Sequence, residues 1–366
     1  MSVCVKQHQY VADFSLALIN RTGAYYVCRD VLERLPEFFV ATRYWRSFLK
    51  REPKGLVRRL LGQAMLFELN HVRFGDRLSR PCHGVSTLFL DPVYVMRSCL
   101  SKLDIVLCHD VGPVTKPELF DPKTTELYRA AYSKIQWAKP GMVFVSEASR
   151  SDFVLWFGDE FRFLKVIPLY VRAGTESGEG KAPTEIESPF LLTVAALEIR
   201  KNHRRTIEAF ARSGLHERGY SYVLCGPRGN SAREVETMAR STPGVHVLGY
   251  RSDAELRWLY RNAAGFVLPS LLEGFGLPAL EAGRHGLVSI INAAGAQAEA
   301  VGEGAIMVDP TSAAAIAEGM RQVVEMPEGE RSRRIGLVRE RAAALSVERY
   351  IAQWSELLAS AHELST

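Results

Sequence analysis

The stretch that decides the fold runs from residue 265 to residue 286 and reads Gly265-Phe266-Val267-Leu268-Pro269-Ser270-Leu271-Leu272-Glu273-Gly274-Phe275-Gly276-Leu277-Pro278-Ala279-Leu280-Glu281-Ala282-Gly283-Arg284-His285-Gly286. Its short apolar run before Pro269 is typical of a buried parallel strand. A loop with two glycines follows. Pro278 suits the first positions of a helix, because its ring presets the helical φ and its missing amide hydrogen would be unpaired there anyway. The pattern predicts a strand, a loop and a helix that begins at Leu277 or Pro278.

This layout places Glu273 in the loop and Glu281 near the start of the helix, both beyond the carboxyl end of one strand. Ligands bind at that edge of open α/β sheets. Glycines let the backbone approach a ligand, the free amides of a helix start attract phosphate, and a carboxylate accepts two hydrogen bonds from paired sugar hydroxyls. We therefore predict a sugar-nucleotide site that includes the backbone of Gly274, Phe275, Gly276 and Leu277. The alternative is an ordinary strand-loop-helix unit with two solvated glutamates.

Glu273 and Glu281, separated by seven residues within Pro-Ser-x-x-Glu-Gly-Phe-Gly-Leu-Pro-x-x-Glu-Ala, resemble the signature of retaining glycosyltransferases of family 4. The resemblance is strong over the C-terminal half of the chain and weaker over the N-terminal half. It implies the GT-B fold, an α/β architecture of two Rossmann-like parallel-sheet domains that face a cleft. It also implies that the reaction retains configuration, that Glu281 binds ribose hydroxyls and that Glu273 binds hexose hydroxyls.

Composition places the chain among soluble globular proteins long enough for two domains, with 366 residues, 47% hydrophobic and 24% charged. The six cysteines are scattered, which favours buried free thiols over zinc ligands or disulfides. The N-terminus lacks the apolar core of a signal peptide, and no apolar run has the length of a membrane span. We expect a cytoplasmic protein that does not bind nucleic acid.

The expected domains are residues 1–172 on the acceptor side, a linker at 173–189, a nucleotide-sugar domain at 190–345 and a C-terminal helix at 346–366 that crosses back to the first domain. Residues 173–189 contain four glutamates, three glycines and two prolines with almost nothing apolar, which is typical of a linker. The apolar stripe of the last helix predicts a core contact.

Two candidate site positions follow predicted strands of the first domain. Gly23, with Arg21 nearby, lies between the first strand and the first helix; it either lets the backbone approach a phosphate or acceptor, or forms a plain turn. His109 ends the apolar run from Leu103 to Cys108. The resemblance places a His-Asp pair at the cleft, where the histidine contacts the transferred sugar; the alternative is a satisfied polar residue.

In the second domain, Arg200 and Lys201 follow the strand predicted from Phe190 to Leu197. Two adjacent cations suit a diphosphate whose negative charge grows as the glycosidic bond breaks, and the resemblance carries this role to both residues. The alternative is a surface turn before a helix. The resemblance also implies donor contacts at Gly226 and near Tyr250, where the backbone holds the nucleobase.

Most of the positive charge lies between Ala41 and Arg80, a segment with ten basic and three acidic residues. Residues 44–74 mix this charge with apolar side chains, and Pro53 and Gly55 predict two short amphipathic helices rather than one. Such a segment either lies on an anionic membrane surface or packs on its own domain with a solvated basic face.

We therefore predict a hexosyltransferase that takes a hexose, with mannose favoured, from a nucleotide sugar to a glycan or lipid-linked acceptor in bacterial polysaccharide assembly. The resemblance favours GDP-mannose as donor, with a UDP-sugar as the alternative. The chain contains no Asp-x-Asp sequence, so we expect no metal and no other cofactor. The rival interpretations are a sugar-nucleotide epimerase on the same scaffold and a binding protein without catalysis.

Overall fold

The computed structural model describes residues 9–20, 23–71, 85–172, 177–186 and 189–364. Contacts between residues divide the chain into two compact units. Unit 1 comprises Met1–Leu169 together with Val347–Thr366, and unit 2 comprises Tyr170–Ser346. The chain thus leaves its first unit once and returns to it with its last helix.

Unit 1 is an α/β sandwich. Its strands are β1 (Tyr10–Asp13), β2 (Phe39–Tyr44), β3 (Ser47–Phe48), β4 (Thr87–Phe89), β5 (Ile105–Cys108), β6 (Gly141–Phe144) and β7 (Phe163–Val166). Its helices are α1 (Gly23–Arg34), α2 (Gly55–His71), α3 (Gly112–Thr115), α4 (Pro122–Ala138) and α5 (Glu147–Phe157). Among the described residues the strand order is β3-β2-β1-β4-β5-β6-β7. All neighbours pair in parallel except β3, which forms an antiparallel hairpin with β2.

Unit 2 repeats this architecture. Its strands are β8 (Phe190–Val194), β9 (Ser221–Cys225), β10 (Val245–Gly249), β11 (Gly265–Leu268), β12 (Ser289–Asn292) and β13 (Ile306–Val308). Its helices are α6 (His203–Ser213), α7 (Ala232–Ser241), α8 (Asp253–Asn262), α9 (Leu277–Arg284), α10 (Ala296–Val301), α11 (Ala313–Glu325) and α12 (Glu328–Ala344). The described strands lie in the order β10-β9-β8-β11-β12-β13 and are all parallel.

The predicted α/β class with two Rossmann-like parallel sheets is confirmed. Central strands such as β5 and β11 are buried along their whole length, as their continuous apolar runs predict for strands covered by helices on both faces. The strand β11 and the helix start at Leu277 also agree with the prediction from residues 265–286.

The last helix, α13 (Val347–Ser360), belongs to unit 1. Its stripe of Tyr350, Trp354 and Leu358 is buried. The hydroxyl of Tyr10 donates to the carbonyl oxygen of Leu358 at 3.1 Å, and that of Tyr350 donates to Val27 at 3.4 Å. The chain therefore crosses back, as predicted.

Residues 177–186, within the segment expected to be a linker, contact unit 2. Ile186 is buried in its core, and Arg251 pairs with Glu185 at 2.7 Å. Arg257 and Arg261 donate to the carbonyl oxygens of Glu179 and Gly178. Arginine side chains hold this polar segment against helix α8, which a composition poor in apolar residues does not reveal.

The expectation of two short helices in residues 44–74 is wrong. Residues up to Phe48 extend strand β2 and form the β2–β3 hairpin, and one helix, α2, starts at Gly55 after the proline. Pro53 and Gly55 therefore mark a helix start rather than a break between two helices. Within the described ranges no helix has both the length and the apolar character required to cross a bilayer.

Candidate functional site

The site in unit 2 is built at the carboxyl edge of its sheet. Because the strands are parallel, the loops that follow β8, β9, β10 and β11 all leave from this edge. The loop after β8 carries Arg200 and Lys201, and the loop after β11 carries Glu273. These residues lie more than seventy positions apart in the sequence, and the pairing of β8 with β11 brings their loops together.

Glu273 and the two cations form one ion network. The Nζ atom of Lys201 lies 2.5 Å from Oε1 of Glu273, and Nη1 of Arg200 lies 3.4 Å from Oε2. Ser270 donates its hydroxyl to Oε1 at 2.9 Å. Only 8% of the side chain of either Lys201 or Glu273 is exposed. The Nε atom of Arg200 also pairs with Glu198 at 2.7 Å, and the Glu198 side chain is more exposed than that of Glu273.

Burial and charge act in opposite directions on this network. Burial lowers the pKa of Lys201, and the negative charge of Glu273 only partly restores it. Burial would raise the pKa of Glu273, but the charges of Lys201 and Arg200 outweigh it and hold that pKa below its usual value. Glu273 is therefore an ionised carboxylate whose charge keeps a buried lysine protonated.

Backbone geometry fixes the two loops against each other. Asn202 adopts a left-handed conformation, and its side-chain amide donates to the carbonyl oxygens of Pro269 at 3.0 Å and Pro310 at 2.7 Å. The amide of Leu271 donates to the carbonyl oxygen of Arg200 at 2.8 Å. The cations are thus positioned before any ligand arrives, which favours electrostatic stabilisation without reorganisation.

His203 lies directly behind the cations at the start of helix α6. One ring nitrogen, Nε2, donates to the carbonyl oxygen of Ala196 at 2.8 Å. Burial, together with the nearby charge of Lys201, lowers the pKa of His203 to about 4. The imidazole is therefore neutral at physiological pH and adds no third positive charge to the site.

Glu281 occupies a different neighbourhood from Glu273. It is half-buried on helix α9, near Tyr260. Burial raises the pKa of the Tyr260 hydroxyl well above its usual value, and the negative charge of Glu281 adds to this. The Tyr260 ring stacks on His285 with centroids 4.7 Å apart. The two glutamates of the signature therefore have separate surroundings, as two different ligand groups would require.

Two glycines occupy positions that a side chain would not fit. At Gly226 a Cβ atom would lie 2.0 Å from the carbonyl oxygen of Ala195, so the backbone after β9 packs directly on the loop after β8. Gly276 has φ of 105° and precedes helix α9, where a Cβ would crowd Gln297. The intervening backbone is compact, with Phe275 buried and Gly274 and Leu277 partly exposed.

Tyr250 lies at the end of β10, with 81% of its area exposed. Its neighbour Arg251 is fixed by Glu185 and Glu255, and the amide of Gly226 donates to the carbonyl oxygen of Gly249 at 2.9 Å. The ends of β9 and β10 are therefore linked through backbone atoms, and an aromatic ring projects beside them.

In unit 1, His109 follows β5 at the corresponding edge. Its Nε2 lies 3.2 Å from the carbonyl oxygen of Leu90, and Ser149 donates to the carbonyl oxygen of His109 at 3.3 Å. Asp91 is buried beside it and accepts a hydrogen bond from the Tyr128 hydroxyl at 3.0 Å. Burial raises the pKa of Asp91, and the His109 charge opposes that rise.

Gly23 is exposed and forms the first residue of α1, whereas Arg21 lies outside the described residues. The sequence did not single out Ser270, Asn202, Glu198 or Asp91. Asn202 directly follows Arg200 and Lys201, but no pattern in a single sequence marks its left-handed conformation. Ser270 lies within the stretch quoted above, three residues before Glu273. That short spacing could have indicated its hydrogen bond to the Glu273 carboxylate.

Comparison with known sequences gives one family match and two similar mannosyltransferases. The model of the family "Glycosyl transferases group 1" matches residues 179–337. O-antigen chain mannosyltransferase B of Escherichia coli is 28% identical over 233 residues, covering 59% of this chain and 60% of that protein. The GDP-mannose:cellobiosyl-diphosphopolyprenol alpha-mannosyltransferase of Komagataeibacter xylinus is 32% identical over 144 residues, 33% of this chain and 36% of that protein.

Among solved structures, HepE of Anabaena in complex with UDP and glucose is similar with a TM-score of 0.67 and 15% identity, covering 96% of this chain and 100% of that one. That likeness shows the fold, which is GT-B. The Arg200–Lys201–Glu273 network lies within residues 179–337, the part of the chain that matches the glycosyl transferases group 1 model. The matched part of the chain spans less than two thirds of either mannosyltransferase.

Proposed function

We propose that this chain is a retaining hexosyltransferase that moves mannose from GDP-mannose to a glycan or lipid-linked acceptor, in the assembly of a bacterial polysaccharide, without a metal. The group 1 domain supports glycosyl transfer. The names of the E. coli and K. xylinus relatives support mannose and, for the second, GDP-mannose and a lipid-linked acceptor.

One observation carries the proposal, namely the buried network of Arg200, Lys201 and Glu273 at the carboxyl edge of the unit 2 sheet. In glycosyl transfer the bond between the anomeric carbon and a phosphate oxygen breaks, and its electron pair leaves with the nucleoside diphosphate. Negative charge on the diphosphate therefore grows in the transition state. Two fixed cations in a largely dry site stabilise that charge more strongly than they would in water.

Each remaining residue has a proposed role in this scheme. Glu273 orders the cations and binds hexose hydroxyls, and Glu281 binds the ribose. The amides of residues 274–277 face the phosphates, and the backbone near Gly226 and Tyr250 holds the nucleobase. His109 contacts the transferred sugar, while Gly23 and Arg21 belong to the acceptor-side loop.

A thermal-shift panel of sugar nucleotides tests the donor. At about 100 times its dissociation constant a ligand adds about 2.7 kcal/mol of stability, so GDP-mannose should raise the melting temperature above that seen with UDP-sugars. Arg200→Gln should abolish most of the shift. Arg204→Gln is the matched control, since Arg204 lies close by on α6 with its side chain 74% exposed and paired with Glu234.

Product analysis then tests the reaction. A transferase releases GDP slowly into water and faster with an acceptor. An isomeric nucleotide sugar would instead identify an epimerase, and unchanged donor would identify a binding protein. The proposal fails if no sugar nucleotide stabilises the parent chain, or if Arg200→Gln and Arg204→Gln respond alike.

A further inference from the structure

Helix α2 of unit 1 has apolar side chains on two of its faces. Its inner face packs on the unit: Met65 is fully buried, and a Cβ at Gly62 would lie 3.1 Å from the carbonyl oxygen of Leu18. Glu68, also buried, accepts from the Trp45 indole at 2.7 Å and pairs with Arg46 and Arg97. These contacts fix the rotation of the helix about its axis.

The opposite face of α2 is apolar and exposed. Leu56 is 70% exposed, Val57 56% and Leu60 57%. Leu56 and Leu60 are four residues apart and therefore adjacent on the helix surface, and Phe67, also exposed, lies on the same side. Phe48, on the hairpin before α2, is 55% exposed as well. We call the surface of Leu56, Leu60 and Phe67, with Val57 at its edge, the outer α2 face.

Basic side chains accompany this apolar face. Arg46, Lys50, Arg51, Lys54 and Arg59 are exposed, and between Arg46 and Phe67 the sole acidic residue is Glu52. Glu52 accepts a hydrogen bond from the buried Tyr25 hydroxyl at 2.8 Å. Arg58 differs from the other basic residues, because its guanidinium donates to the carbonyl oxygen of Leu18 at 3.1 Å and anchors α2.

We infer that the outer α2 face docks on an anionic lipid bilayer. Exposed leucines and a phenylalanine with clustered cations are the combination that lets a helix lie in the interface of such a membrane. A helix packed on its own domain with a solvated polar face would present the reverse arrangement, with its apolar residues inside. The inference is independent of the donor site, since it depends only on unit 1.

Vesicle flotation with the full chain tests the inference. The parent chain should float with vesicles of phosphatidylcholine and phosphatidylglycerol, bind pure phosphatidylcholine weakly, and lose binding as salt is raised. Arg51→Gln, Lys54→Gln and Arg59→Gln together should weaken binding about 100-fold, at about fivefold for each charge. Arg58 is left intact because of its structural contact.

A second variant, Leu56→Gln with Leu60→Gln, should weaken binding at least about tenfold. The variant lacks the apolar surface that the two leucines would transfer from water into the bilayer. Glutamine favours helix, so α2 is retained, and the melting temperature checks this. Controls on the same unit are Leu155→Gln, which removes an exposed leucine, and the triple change of Lys102, Lys123 and Arg129 to glutamine, which removes three exposed charges. Both controls should bind like the parent.

The inference is overturned if the parent does not float, or if folded α2 variants bind as well as the controls. It is also overturned if the parent sediments as a dimer that Leu56→Gln with Leu60→Gln converts to a monomer while vesicles bind neither. Donor-induced thermal shifts should be the same in all of these variants, so the outcome is separate from that of the proposed function.

Discussion

Glu273→Gln removes the charge at the centre of the unit 2 network while keeping the size of the side chain. In the structure, this carboxylate contacts Lys201 at 2.5 Å, Arg200 at 3.4 Å and Ser270 at 2.9 Å. Glutamine retains one acceptor oxygen, but its amide group donates and cannot pair with a cation. Lys201 then remains buried without a carboxylate against it.

The expected magnitude follows from these contacts. Removing one partner of a buried ion pair costs about 3–5 kcal/mol because the other charge stays buried. We expect the free energy of unfolding to fall by about 3 kcal/mol. If a similar amount of transition-state stabilisation is lost, turnover falls by about 10².

The pH dependence separates this effect from general damage. Burial already lowers the pKa of Lys201, and Glu273 raises it. Without Glu273 that pKa falls further, so the lysine loses its proton at lower pH. Turnover of Glu273→Gln should therefore decline with rising pH sooner than turnover of the parent. In an enzyme that is only destabilised, turnover would decline at the same alkaline pH as in the parent.

The assay is release of nucleoside diphosphate across a pH series, with melting curves on the same preparations. Glu198→Gln is the matched control, because Glu198 is more exposed than Glu273 and forms its ion pair with Arg200. Its charge also raises the pKa of Lys201, but less than the charge of Glu273 does. Glu198→Gln should change turnover much less and leave the pH at which turnover declines close to that of the parent. Intact turnover in Glu273→Gln, together with lost turnover in Glu281→Gln, would refute the reasoning and mean that the donor lies in the opposite direction along the loop.

Three further outcomes are expected. Glu281→Gln should chiefly raise the KM for the donor, since a ribose contact far from the breaking bond is equally strong in ground and transition states; a loss confined to kcat would contradict this. Because the pKa of His203 is lowered to about 4, its contribution to stability is present above about pH 6.5 and is lost as pH falls towards 4. Urea midpoints of a folded His203→Gln variant should therefore fall less over that range than those of the parent, and equal slopes would exclude the buried histidine as the cause. Transfer should continue in excess chelator, and loss that manganese or magnesium restores would contradict the metal-free proposal.

The fold could be predicted because its signals are local. Apolar runs such as that of β11, the Pro278 position and the stripe of α13 each depend on a few neighbouring residues. Ser252 and Glu255 have the spacing of a capping box, and both hydrogen bonds of that box form at the start of α8. Ser231 and Glu234 have the same spacing, yet the hydroxyl of Ser231 donates to the carbonyl oxygen of Leu197 and does not cap α7. A distant backbone group competes for that hydroxyl, and the local pattern cannot reveal it.

The residues of the unit 2 network could be named from the sequence, but their pairing could not. The family resemblance assigns Glu273 to the hexose and Arg200 with Lys201 to the diphosphate, as separate groups. Their direct pairing depends on β8 lying next to β11, a neighbour relation between strands that are far apart in the chain. The orientation of α2 has the same origin, since both of its faces are apolar and the contacts of Gly62, Met65 and Glu68 decide which one is buried.

If the unit 2 network binds a diphosphate, as we propose, its charge balance explains why a glutamate lies among the cations. Lys201 and Arg200 are balanced by Glu273 and Glu198, so the four side chains are together neutral in the free protein. Two uncompensated cations in this position would repel each other, and burial would drive the lysine towards its neutral form. Glu198 contacts the more exposed cation, and its side chain is 32% exposed, whereas Glu273 is 8% exposed. Under the proposed function, an arriving diphosphate would replace Glu198 beside Arg200 while Glu273 continues to hold Lys201 protonated. In that proposal the inner carboxylate keeps the lysine charged, and the outer carboxylate is displaced by the ligand.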